Sequence, residues 1–257
     1  MSAGRCVRLV QMMGLLSIDD SCVGTGYLLP PTQDPIELEE RRRTFWAAYF
    51  GDRWVSARTG WPMSINESEV GIFLQNRQDQ VSNEPQIFTK LPKSEISFEQ
   101  GVEETSPFLS DVLNDDGASR LVSPLGGLLL AATLFGRIFA HLHNSTEQND
   151  PQKTKERDFW SRHRELDNIL SATFMNLPEN LKVSEGSRDL KIFFLYMSLH
   201  TSVICLHKAG VIMAMKHRLE LNMIMRSFSR CVVAADEITT LVKMISHHDV
   251  STVHCFL

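Results

Sequence analysis

The chain of 257 residues is short of most features that carry chemistry on their own. Cysteine is scarce: Cys6, Cys22, Cys205, Cys231 and Cys255 are odd in number, widely spaced and never arranged as C-x-x-C. Thiolates that share a zinc ion need near neighbours to set the tetrahedron, so this pattern argues against a cysteine zinc site and against a disulfide framework. Reduced thiols packed as small hydrophobes are expected, above all at Cys205 and Cys231, which sit in apolar helical patterns. A basic excess is also missing: 26 Lys+Arg face 31 Asp+Glu, for a net charge of −5. Gripping DNA through its phosphates takes a surplus of lysine and arginine, so DNA binding by this chain alone should be weak and non-specific. Neither a convincing period-two strand nor an internal repeat is visible. With 43% hydrophobic and 22% charged residues, the composition excludes a mainly disordered chain, a collagen-like repeat and a coiled-coil rod.

Catalytic spacings are absent as well. There is no phosphate loop, no nucleophile elbow and no H-E-x-x-H, and Gly24-Thr25-Gly26 lacks the third glycine of a dinucleotide turn. Asp19-Asp20 and Asp115-Asp116 resemble pieces of an aspartate-rich magnesium motif, but positions 23 and 119 are Val and Ser; surface caps and turns explain both pairs better. Nine histidines invite a metal reading. His141 and His143 point to different sides of a helix, and His200 and His207 lie about 10 Å apart along one. His247-His248 suits a helix end. A structural or solvent role is expected for all of them, with no metal, no cofactor and no catalytic residue.

What remains is helical. Steps of three and four mark helices over 6–16, 36–59, 125–143, 158–174 and 190–215. Leu221, Ile224, Phe228, Val232, Ala235, Ile238, Val242 and Ile245 then draw one apolar stripe down a last long helix. Gly126-Gly127 predicts a loose helix start, Pro178 a helix stop, and Gly60-Trp61-Pro62 the end of the second helix. Residues 1–16, with Arg5 and Arg8 but no small-residue cleavage site before Asp19, read as an amphipathic helix instead of a signal peptide. The run 192–215 is long enough to span a bilayer, but Lys208 inside it would be costly in lipid; a core helix is expected and no membrane partner. The fold class is therefore all-α. Its expected organisation is N-terminal helices over 1–63, an acidic tract over 64–120 and a C-terminal helical bundle over 121–257. The tract holds eleven acidic and four basic residues, a local −7, with Pro85, Pro92 and Pro107. It reads as a long, irregular, solvated connection, with a partner-binding or activation-like element as the alternative.

One segment stands apart: Glu39-Glu40-Arg41-Arg42-Arg43-Thr44-Phe45-Trp46-Ala47-Ala48-Tyr49-Phe50-Gly51-Asp52-Arg53-Trp54. On a helix Phe45, Tyr49 and Asp52 align, as do Trp46, Phe50 and Arg53. Opposite charges thus fall beside an aromatic face. A charge drawn toward a core must be paired. Two readings stay open: a partly buried Asp52/Arg53 network, or side chains that curl to the surface. Arg41, Arg42 and Arg43 read as a salt-bridge set on the helix surface.

The run E-x-R-R-R-x-F-W, followed by D-R and then G-x-P, resembles the middle regulatory domain of fungal zinc-cluster transcription factors. Arg8-Leu9-Val10 through Leu15 extends the similarity upstream. Downstream it continues at Leu177-Pro178, Leu199-His200, Leu206-His207-Lys208, Ser229-x-Cys231 and Ala234-Ala235. Trp61 departs from the arginine usual at that position. The resemblance implies an all-helical, non-enzymatic, truncated regulatory domain without its own zinc cluster. It would act in the nucleus on metabolic or secondary-metabolite genes, with transcription factors or transcription machinery as partners and a small-molecule effector as a further ligand. Arg42, Phe45, Trp46, Tyr49, Asp52, Arg53 and Pro62 are then expected to form a structural network, with no residue carried over as a DNA contact or zinc ligand. The rival classes are an all-α metabolite-transforming enzyme and a non-catalytic scaffold module.

Overall fold

A computed structural model describes residues 3–20, 28–65, 87–102, 104–114, 122–146, 154–183 and 189–246. Among these residues all regular structure is helical. The chain divides into two compact units, Met1–Leu129 and Leu130–Leu257.

The first unit begins with α1 (Ala3–Met12), which buries Val7 and Val10. Gly14, at φ 75°, turns the chain into a 3-10 turn (Leu15–Ser17) that buries both leucines. Helix α2 (Pro35–Thr59) starts where its sequence says it should. The Asp34 carboxylate accepts from the Ile36 amide, and Pro35 takes a first-turn position where no amide proton is needed. It ends at Gly60, whose φ of 76° is cheap only without a side chain and whose amide donates to the Ser56 carbonyl.

Part of the acidic tract is not a solvated connection. Residues 87–94 lie along the first unit, with Ile87, Thr89, Leu91, Pro92 and Lys93 buried. The Phe88 amide donates to the Leu16 carbonyl at 2.6 Å, and the Asp19 amide donates to the Phe88 carbonyl at 2.9 Å. The alternation Ile87, Thr89, Leu91 is a period-two signal, short enough to be missed between Pro85 and Pro92. Two short helices follow, α3 (Glu95–Glu99) and α4 (Leu109–Asn114).

Helix α5 (Pro124–Thr146) crosses the boundary between the units. Its start is tight, not loose. The Ser123 hydroxyl accepts from the Gly126 amide and donates to the Pro92 carbonyl at 2.7 Å. A Cβ on Gly126 would lie 3.0 Å from the Val122 side chain. The glycine there allows close approach in a first turn.

The second unit holds the rest of α5, then α6 (Thr154–Asn176), α7 (Leu190–Lys216) and α8 (Leu221–Ile245). Helices α7 and α8 are joined by a four-residue turn and pack along each other. The expected stripe on α8 does not coincide with the packed face. The less exposed positions are Ile224, Ser227, Cys231, Ala234, Ile238, Leu241 and Ile245, whereas Leu221 and Phe228 are 70% and 55% exposed and Val232 and Val242 also face water. The helix carries two apolar lines at three- and four-residue steps, and periodicity alone merges them. Among the described residues two helices are long and apolar enough to cross a membrane, but 72% and 50% of their apolar windows are buried inside the fold, as core helices are.

Candidate functional site

The buried face of α2 gathers the predicted network into the first unit. Phe45, Trp46 and Tyr49 are almost fully buried and meet edge-on or tilted, with ring centroids 4.9 Å apart for Phe45–Trp46 and 5.1 Å for Trp46–Tyr49. The Trp46 indole N–H donates to the Lys90 carbonyl at 2.7 Å. Asp52 and Arg53 are 3% and 1% exposed, and Arg53 Nη1 donates to Asp52 Oδ2 at 2.8 Å. Each charge has further work. Asp52 accepts from the amides of Ser64 and Ile65, Arg53 Nη2 donates to the Ile65 carbonyl at 2.8 Å, and the guanidinium lies 4.0 Å over the Tyr49 ring. The turn at Gly60-Trp61-Pro62 thus folds the chain back so that both charges seize residues 64–65. Pro62 is exposed, and its part is a carbonyl that accepts from Ser56 Oγ at 3.5 Å.

Arg41, Arg42 and Arg43 are not one surface set. Arg41 pairs with Glu37 at 2.5 Å and donates to the Pro30 carbonyl. Arg42 forks onto Asp19, whose Oδ2 also accepts from the Lys90 amide. Arg43 donates to Glu39 at 3.0 Å and Glu95 at 2.6 Å. Glu39 is 1% exposed and also accepts from the Lys93 amide. Burial pulls the Arg42 guanidinium toward neutrality, but its hydrogen bonds and charge interactions with Asp19 and Glu39 outweigh that and raise its pKa. Three consecutive residues on a helix fan over roughly 200°, and each of these half-buried arginines reaches a different set of partners. Asp19, read as a surface cap, is instead a main anchor, and Glu39 was missed. Asp115-Asp116 and Gly24–Gly26 lie outside the described residues.

The second unit has a groove of about 970 Å³. Helix α6 lines it with Trp160, His163, Arg164 and Asp167, α7 adds His207, and α8 adds Met223, Arg226, Ser227 and Arg230. Two of the lining residues, His163 and His207, belong to an aromatic row. His141 stacks on Phe159 at 4.6 Å, Phe159 on His163 at 5.7 Å, and His163 meets His207 edge-on at 5.4 Å. Gly210 of α7 makes this possible: a Cβ there would sit 3.0 Å from His163 Cε1. Burial lowers the pKa of His141 to about 4, with the Arg162 charge adding to it. Burial also brings His163 to about 4, helped by His207 and His141. Asp167 is held below the usual carboxylate range by the His207 hydrogen bond and the Arg230 charge, against burial. His207 Nε2 lies 3.3 Å from Asp167 Oδ1, and Arg230 Nη2 donates to the same oxygen at 2.5 Å. His200 instead lies 4.9 Å from the Phe174 ring, and His247-His248 fall outside the described residues. Among the described residues no cluster of His, Cys, Asp and Glu is placed to hold a metal ion. Sequence reasoning misses this groove; the signal that could find it is the His163/Asp167 pair, four apart on one face of α6.

A model of the fungal specific transcription factor domain matches residues 3–171. The chain belongs to that family. Among characterised relatives, the pigment biosynthesis transcriptional activator of Monascus ruber is 31% identical over 259 residues, covering 100% of this chain and 43% of the relative. The citrinin biosynthesis transcriptional activator of Monascus purpureus is 29% identical, over 99% of this chain and 40% of the relative. The tropolone cluster transcription factor of Talaromyces stipitatus is 29% identical, over 99% and 42%. The chain thus spans about two fifths of the length of the curated relatives it matches. No solved structure gives a significant match. Within this fungal transcription factor domain, the α2 network lies inside the stretch matched by the family model, and the groove extends past its end onto α7 and α8. The family is one of transcription factors, not of enzymes.

Proposed function

We propose that this chain is a regulatory segment of a transcription factor acting in the nucleus on fungal secondary-metabolite genes. Its helical units contact partner transcription factors or the transcription machinery, and a small-molecule effector adjusts that contact. The observation that carries the reading is its end-to-end similarity to three cluster-specific regulators, together with the α2 block in the segment the family model matches. The mechanism is one of rigid presentation. The Asp52/Arg53 clamp and the Arg42–Asp19 fork fix α2 against the chain on either side of it, which would hold partner-facing surfaces in place. The acidic tract, where it is not buried against α2, supplies negative charge that suits contact with basic surfaces.

The test is a tethering assay. The full chain is fused to an unrelated DNA-binding domain and expressed over a reporter in a filamentous fungus. Reporter output should shift from that of the DNA-binding domain alone, and the shift should vanish in Arg53→Ala. Output equal to that of the unfused domain, at matched protein level, counts against the reading.

A further inference from the structure

We propose that the groove between α6 and α8 binds a small aromatic carboxylate. The inference rests on the regulatory reading above, of which it would be the effector site. The groove has about 970 Å³, at the upper end of the roughly 300–1,000 Å³ typical of small-molecule sites. Its charge is one-sided: Arg164, Arg226 and Arg230 face one carboxylate, Asp167. That carboxylate is already engaged by Arg230 and His207. Arg164 and Arg226 are exposed and have no ion-pair partner among the described residues. Two guanidinium forks are therefore open to an anion, and such forks match the two oxygens of a carboxylate.

The other half of the lining sets the body of the ligand. Trp160 and Met223 add an indole ring and an adaptable thioether to the lining. A bare inorganic anion would leave both in water, and a neutral ring would leave the arginines unanswered. Extent separates a small molecule from a docked peptide. The lining residues run from Trp160 to Asp167 on α6 and from Met223 to Arg230 on α8. That is two helical turns on each side, or about 10 Å, the length of a fused-ring acid and shorter than a docked helix.

The experiment is calorimetric titration of the purified full chain with 2-naphthoate, with neutral 2-naphthamide, with inorganic sulfate and with a glutamate-rich peptide. Saturable one-to-one binding of the naphthoate is expected, with the amide and sulfate each at least about ten-fold weaker, as loss of a charge-assisted hydrogen bond or of stacking implies. Arg226→Glu and Arg164→Glu should each weaken naphthoate about ten-fold or more, and Trp160→Phe should weaken it less. Both arginines are exposed, so unchanged thermal melts of these variants will show that folding is intact. The proposal is overturned by absence of saturation up to the solubility limit, by equal affinity for acid and amide, by indifference to both arginine variants, or by tighter binding of the peptide at the same residues. Because the titration uses no reporter, it can fail while the tethering assay succeeds, and the reverse.

Discussion

Asp52 and Arg53 are adjacent in sequence, nearly inaccessible to water and committed to backbone groups of residues 64–65 and a ring between them. Removing one partner strands the other charge in the core. Arg53→Ala should therefore lower unfolding stability by about 3–5 kcal/mol, read from denaturant titration, with the 64–65 segment released. A change near zero would show that water reaches the pair. The residue pattern made burial one of two readings, because alignment with Phe45 and Trp46 places the charges beside the core without saying whether they find partners. Those partners, the Ser64 and Ile65 amides, depend on a turn whose path a helical period does not describe. The buried histidines carry a pH effect of definite sign. His141 and His163 are each 7% exposed and have pKa values near 4, against an ordinary 6.5. Between those limits the unfolded chain binds more protons than the folded one, so stability is complete above pH 6.5 and falls as the pH drops toward 4. Each histidine contributes up to about 3 kcal/mol to that loss, and their mutual repulsion makes the total less than additive. Thermal melts between pH 7.5 and 4.5 should show the decline, and His163→Gln should flatten it. A flat profile in the wild-type chain would mean that the rings are hydrated.

At the scale of elements, periodicity located the helices well because burial in a helical fold is written at steps of three and four. It was least informative where a helix has apolar residues on more than one side. Helix α8 is the example: the line read from the sequence takes Ile224, Ile238 and Ile245 from the face against α7 and Phe228, Val232 and Val242 from the exposed face. A paired substitution separates them. Leu241→Ala removes a side chain that is 6% exposed and should cost about 2–5 kcal/mol, whereas Phe228→Ala should stay within about 0.5 kcal/mol. Comparable losses at both positions would mean that Phe228 is covered. The stretch 87–94 failed for the opposite reason. The two backbone hydrogen bonds of Phe88, to Leu16 and from Asp19, join residues some seventy positions apart, and a local window holds no trace of such a partner.

For the molecule as a whole, charge decides what it can do by itself. The −5 net charge is unevenly laid out: the 64–120 tract carries −7, and the basic residues that do cluster are mostly spent. Arg41, Arg42 and Arg43 answer Glu37, Glu39, Asp19 and Glu95, which leaves this run without a surplus for phosphates. Arg164 and Arg226 remain open, but they line a groove about 10 Å long, too short to track a duplex. The chain's five cysteines are widely spaced in sequence, unlike the near neighbours with which thiolates share a metal. The purified chain should therefore show no sequence-selective retention of duplex DNA in a fluorescence anisotropy titration. Whatever weak binding appears at low salt should vanish by about 0.15 M, where screening shortens to about 8 Å. Selective, salt-resistant binding at nanomolar concentration would require a basic surface that these ion pairs do not leave, and would overturn the view that this segment reaches its genes through other protein surfaces.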